Sequence, residues 1–117
     1  MVLWRRLIAS GARRRHRIAS PVIVPMAFTN RAYFDDLTQA LAPVAFVHRL
    51  CLVAPLEVVR GRLEKRAAAE GRGLTEFEVR RSAECVAAHS DPGFGMPIDA
   101  TGAPHEVATA ARHALGL

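Results

Sequence analysis

With 117 residues, 50% of them apolar and 6% aromatic, the chain has the size and composition of one globular domain, which excludes a disordered polymer. No apolar run approaches the ~20 residues needed to cross a bilayer, which excludes a transmembrane helix. The net charge of +5 is gathered at one end, where residues 1–34 hold seven arginines (Arg5, Arg6, Arg13, Arg14, Arg15, Arg17 and Arg31) and no acid. From Asp35 onward, nine basic side chains face eleven acidic ones, so a near-neutral domain carries a basic N-terminal arm.

Leu3, Trp4, Leu7 and Ile8 recur at helical spacing and predict a short helix over residues 3–10, ending near Gly11. The β-branched run Val22-Ile23-Val24-Pro25-Met26 predicts a short buried strand. Asn30 is placed to cap a helix with Tyr33, Phe34, Leu37 and Leu41 on one stripe, and Pro43 marks its end. Val44 to Ala54 is apolar except at His48 and Arg49, which predicts a second strand, in a parallel sheet covered on both faces.

A helix from Leu56 to Ala69 follows Pro55, and Glu70-Gly71-Arg72-Gly73 breaks it. Thr75 then caps a helix over 76–89 with acids in its first turn. Asp91-Pro92-Gly93 is a turn, residues 95–100 a third strand, and 104–115 a last helix opened by Pro104. The order α-β-α-β-α-α-β-α describes an open parallel α/β sheet. The expected organisation is a basic helical arm, residues 1–20, followed by one α/β portion, residues 21–117.

Cys51 and Cys85 lie in apolar segments without CxxC or CxH spacing and are expected to be free thiols in a reducing cytoplasm. His48 is expected to be a buried or edge histidine. His89 and Asp91 suit a helix end, and His105 and His113 lack the further ligands a metal needs. No serine lies in a G-x-S-x-G setting.

A phosphate-cradling loop, G-x-x-x-x-G-K-S/T, surrounds phosphates with backbone N–H groups and one lysine. The only lysine, Lys65, lies mid-helix between Glu64 and Arg66, and no Gly-Lys dipeptide occurs. G-x-G-x-x-G is absent as well. The pair Arg62 and Arg66, four residues apart on one helical face after a strand, can stack on a base and grip phosphate oxygens; its plainer reading is a solvated basic face. Arg80 and Arg81 lie on the next helix, beyond the Gly71/Gly73 break, where a mobile flap would carry an arginine toward a transferring phosphoryl group.

Leu3-Trp4-Arg5, Val22-Ile23-Val24-Pro25-Met26, Tyr33-Phe34-Asp35, Val47-His48-Arg49-Leu50, Arg62-Leu63-x-x-Arg66, Ile98-Asp99-Ala100-Thr101 and Glu106-Val107-Ala108 together resemble the tunicamycin-resistance protein family, a group of nucleoside- and nucleotide-kinase-like P-loop ATPases. The resemblance covers essentially the whole chain and the C-terminal two-thirds of a family member. It implies a partial three-layer P-loop fold, its short parallel sheet flanked by helices, that binds ATP with magnesium. By the same resemblance Arg62 packs on adenine, Arg66 reaches the phosphates and Arg80 or Arg81 is the lid arginine. Asp99, Thr101 and Gly102 line the adenine pocket, while Trp4 and Arg5 approach a nucleoside-like acceptor.

The family's first strand, Walker A loop and acidic strand have no counterpart here, so an internal start or a degraded gene, and a chain inactive alone, are expected. A sheet without its first strand is expected to pair through its edge with a second copy. The alternative is a binding module whose Arg13-Arg14-Arg15-His16-Arg17 attaches to nucleic acid or an anionic surface. With Trp4 the only aromatic near the arm, nucleic acid is the weaker partner. An Arg-rich, acid-free cleavable presequence over 1–20 is the third reading.

Overall fold

Helices dominate the computed structural model, which describes residues 3–18 and 20–117. The elements are α1 (Leu3–Ile18), α2 (Arg31–Leu41), β1 (Leu50–Val53), α3 (Leu56–Ala69), α4 (Glu76–Ala88), a 3-10 turn (Pro92–Phe94), β2 (Met96–Asp99) and α5 (Pro104–Ala114). The class is mixed α/β, with a two-stranded parallel sheet. The chain divides into two compact units, Met1–His48 and Arg49–Leu117.

In the first unit α1 buries Arg5 and Ala9, one turn apart, and continues through Gly11 to Ile18. The expected stop at Gly11 is therefore corrected. A glycine ends a helix when it turns left-handed, and the positive-φ glycines are Gly71, Gly95 and Gly116. Mid-helix, with alanine and arginine on both sides, Gly11 costs only about 1 kcal/mol relative to alanine. Helix α2 starts as its sequence dictates: the Asn30 side chain accepts from the Ala32 and Tyr33 N–H groups at 2.9 and 3.3 Å. Leu37 is the buried centre of its stripe, while Tyr33 stays 43% exposed.

The two helices lie side by side and point the same way. The Arg5 guanidinium sits 3.8 Å from the centre of the Tyr33 ring, and Arg13 Nη1, eight residues on, lies 3.5 Å from the Ala40 carbonyl, seven residues beyond Tyr33. Parallel neighbours require a long return, which residues 20–30 supply. Val22 to Met26 is irregular rather than the expected buried strand, and Ile23 is 87% exposed. Pro21 and Pro25 lack N–H donors, and β-branched residues form a strand only where a neighbouring strand accepts them.

In the second unit β1 pairs with β2 in the register Leu50↔Met96, Cys51↔Pro97, Leu52↔Ile98 and Val53↔Asp99. The strand expected over Val44 to Ala54 is thus cut to four residues; Phe46 is exposed rather than buried, and His48, expected to be buried or at a strand edge, is exposed and outside the strand. Its length is set by β2, which is bounded by Gly95 and the loop after Asp99. The expectation of a sheet face covered on both sides also fails at Leu52, which is 57% exposed. Cys51, Ala67, Phe94 and Ile98 form the apolar core of this unit, with the buried Ser82 donating to the Val79 carbonyl at 2.9 Å.

The helices keep their expected starts. Thr75 and Glu78 form a reciprocal capping box at α4, and Pro104 opens α5. Among the described residues no helix is long and apolar enough to cross a membrane.

Candidate functional site

The carboxyl ends of parallel strands, where backbone pairing stops and loops take over, form the ligand edge of open α/β sheets. Here that edge consists of Ala54-Pro55 after β1 and the loop after β2. The loop is shaped by Asp99, whose Oδ1 accepts from the Thr101 N–H at 2.9 Å and from Thr101 Oγ1 at 2.7 Å. These two donors hold the Asp99 carboxyl below its ordinary pKa, the hydroxyl first and the backbone N–H second.

The turn directs the next two carbonyls toward α3. Arg62 Nη2 donates to the Thr101 oxygen at 3.0 Å and to the Gly102 oxygen at 3.2 Å. Arg62, Asp99, Thr101 and Gly102, all expected to bind cofactor, therefore meet at one exposed edge. The remaining guanidinium nitrogens of Arg62 make no hydrogen bond among the described residues, which leaves the planar group open to a stacked or anionic ligand. At Gly102 an added Cβ would meet the Glu106 side chain, with Oε2 at 2.7 Å, so the carboxylate would have to swing aside.

The expected phosphate-side arginines are differently engaged. Arg66 Nη2 lies 3.8 Å from Glu78 Oε2 and keeps 63% of its side chain exposed. Arg72 holds the same carboxylate more closely, at 2.6 Å to Oε1, and also Glu70 at 2.8 Å. Hydrogen bonds from Arg72 and then from the Thr75 backbone push the Glu78 carboxyl down from 4.5 to about 2. Arg80 Nε and Arg81 Nη1 lie 3.8 and 3.5 Å from the two oxygens of Glu84, and Arg80 also sits 5.9 Å from the Phe77 ring centre. The lid candidates thus share one acid, six positions along α4 from the acid that holds Arg66.

Two linking residues escaped the sequence reading. Arg72 lies in the Glu70-Gly71-Arg72-Gly73 helix break, and it meets Glu78, the acid of the α4 capping box. Arg49, read as an interruption of a strand, donates from Nη2 to the Gly93 carbonyl at 2.8 Å. Among the described residues no three His, Cys, Asp or Glu side chains are grouped to hold a metal ion.

The expected acceptor residues belong to the first unit. Trp4 is 44% exposed and stacks on Phe28 at 6.4 Å, which meets Phe34 at 5.5 Å. Arg5, by contrast, is only 4% exposed, with its guanidinium 5.5 Å from the Trp4 ring centre and 3.8 Å from that of Tyr33. Nothing in the spacing of the arm's arginines marks this one as buried. In the same unit a shallow apolar groove of about 250 Å³ runs between Ile8, Ala12 and Arg15 on α1 and the Val22–Pro25 segment.

No family model matches the chain, and no curated protein or solved structure is significantly similar to it.

Proposed function

We propose that the second unit is the adenine-side portion of a nucleotide site in a partial P-loop-type, phosphotransferase-like protein of the tunicamycin-resistance kind. The observation that carries this reading is the pair of hydrogen bonds from Arg62 to the Thr101 and Gly102 carbonyls. They fasten an Arg-Leu-x-x-Arg helix to the loop at the carboxyl end of a parallel sheet, where nucleotides are held in open α/β folds.

In this reading Arg62 stacks on the base and the Asp99–Gly102 loop borders it. Arg66 offers a charge to the phosphates in exchange for its long contact with Glu78, and Arg80 or Arg81 serves the lid. ATP with magnesium is the nucleotide and a nucleoside-like compound the acceptor, in the cytoplasm. A G-x-x-x-x-G-K-S/T loop is not among the 117 residues, so γ-phosphate and magnesium contacts are not assigned to this chain. Pairing through a sheet edge with a second copy belongs to the same proposal.

The test is an NMR titration of the chain with ATP and magnesium. Amides of Thr101, Gly102 and Ala103 are expected to shift saturably in the millimolar range, and Arg62→Ala abolishes the shift. Absence of shifts at this loop would sink the reading. Tight, magnesium-dependent binding in the micromolar range would overturn the restriction to an adenine-side portion.

A second reading rests on Arg14, Arg15 and Arg17, all exposed on a helix that carries no acid. Such an arm attaches to polyanions by counterion release. Binding to heparin that falls steeply with salt and disappears in an Arg14/Arg15/Arg17→Gln variant supports it, and a flat salt response refutes it.

A further inference from the structure

Arg5 is a cation placed where cations are not normally left. It retains 4% of its surface, its Nε is fully buried without a hydrogen-bond partner, and its guanidinium rests against aromatic rings. Among the described residues it has no carboxylate partner. The first acids after it in sequence are Asp35 and Asp36, of which Asp35 lies 3.7 Å from Arg31. Ring contacts of this kind offset part of the desolvation of a buried guanidinium, but its N–H groups still want an acceptor.

The surrounding potential is positive as well. Helices α1 and α2 run parallel, and Arg5 and Tyr33 both lie in the first turns of their described spans, so the N-terminal ends of these spans lie together. Neither first turn contains an acid, and the α2 cap is the neutral Asn30 side chain. Two dipole ends and a buried arginine therefore act on one spot, with no acid in either first turn.

We propose that this spot is an oxyanion site. A carboxylate or phosphate group binds the Arg5 guanidinium at the shared N-terminal end of α1 and α2, between the Trp4 and Tyr33 rings. Trp4 and Tyr33 are each more than two-fifths exposed, so the guanidinium that their rings contact lies close to the surface. The planar fork of arginine matches two oxygens of either group. An apolar or aromatic body attached to the anion would lie along the exposed part of Trp4, which the buried Phe28 backs. The site lies wholly in the first unit and stands independently of the nucleotide reading.

Trp4 is the only tryptophan in the chain, so its fluorescence reports on this spot alone. The full chain is titrated with potassium phosphate and, separately, potassium acetate, each against potassium chloride at matched ionic strength. A saturable change in Trp4 emission is expected with at least one oxyanion and none with chloride. Saturation by phosphate alone identifies a phosphate ligand, and saturation by acetate identifies a carboxylate. Arg5→Lys, which keeps the charge and loses the fork, is expected to weaken saturation roughly tenfold. Arg14/Arg15/Arg17→Gln leaves it unchanged. A wild-type response to neither anion overturns the proposal whatever the variants do. So does a response lost with the three exposed arginines, because the anion would then be held by the arm.

Discussion

Arg72 meets Glu78 across the bend between α3 and α4, with Nη1 2.6 Å from Oε1, and the same carboxylate oxygen accepts from the Thr75 backbone at 3.2 Å. One side chain thereby closes the bend and completes the cap of α4. The arrangement favours ionised Glu78, whose carboxyl is pushed from 4.5 to about 2. A lowered folded-state value means that the unfolded chain binds the extra proton first as acid is added. The stabilisation is therefore whole above 4.5 and is lost as the pH falls from there toward 2.

Replacing Arg72 by methionine should accordingly lower the melting temperature at neutral pH. The deficit relative to wild type should shrink below pH 4.5, be much reduced by pH 2, where wild-type Glu78 is half protonated, and close only below that, where Glu78 is protonated in both proteins. Thermal melts followed by circular dichroism across this range check it. A deficit that stays constant with pH would show that Arg72 acts through packing rather than through the carboxylate.

Gly95 is required by the backbone it faces. Its φ is +113°, and an added Cβ would stand 2.5 Å from the Arg49 carbonyl oxygen, which accepts the Met96 N–H at 2.9 Å. Neither atom can retreat without breaking the first rung of the sheet. Gly95→Ala is expected to destabilise the chain by about 3 kcal/mol, from a strained backbone plus a lost pairing. Urea unfolding with an unchanged slope and a lowered midpoint is the signature.

Gly11 carries the opposite sign. It lies inside α1 with helical φ, and a Cβ built there meets no atom within 4 Å. Gly11→Ala should stabilise by about 0.5–1 kcal/mol, because alanine surrenders less backbone freedom on entering a helix. A midpoint shifted upward in urea confirms it; no shift would mean that α1 frays before residue 11.

These contrasts trace what was legible in the sequence. Helices α3, α4 and α5 begin where Pro55, Thr75 and Pro104 place them, since a cap or a starting proline acts on its own turn. The strands were harder, because Val22 to Met26 and Val44 to Arg49 have strand-like residues whose pairing depends on a distant partner that does not lie beside them. The hydrogen bonds from Arg62 to Thr101 and Gly102 were not legible, as a spacing of some forty residues carries no local signal. The burial of Arg5 was invisible, since exposed and buried arginines in a basic arm look alike until α2 is packed against it.

The sheet's two outer edges differ in what they can accept. Met96 and Ala100 donate inward to the Arg49 and Val53 carbonyls at 2.9 and 2.8 Å, so alternate residues of β2 face β1. Pro97, between them, turns its nitrogen outward and has no hydrogen to offer a further strand. A second copy seeking an edge must therefore use β1, where the backbone of Leu52 faces outward and its side chain is 57% exposed. Leu52→Lys sets a charge on that edge without touching the inward bonds, a device by which natural sheets resist pairing. If copies associate through the edge, wild-type elution from gel filtration should move toward larger size as concentration rises, and Leu52→Lys should hold it at the monomer position. Equal concentration dependence in both proteins would place self-association elsewhere, with the exposed Ile23 segment the next surface to alter.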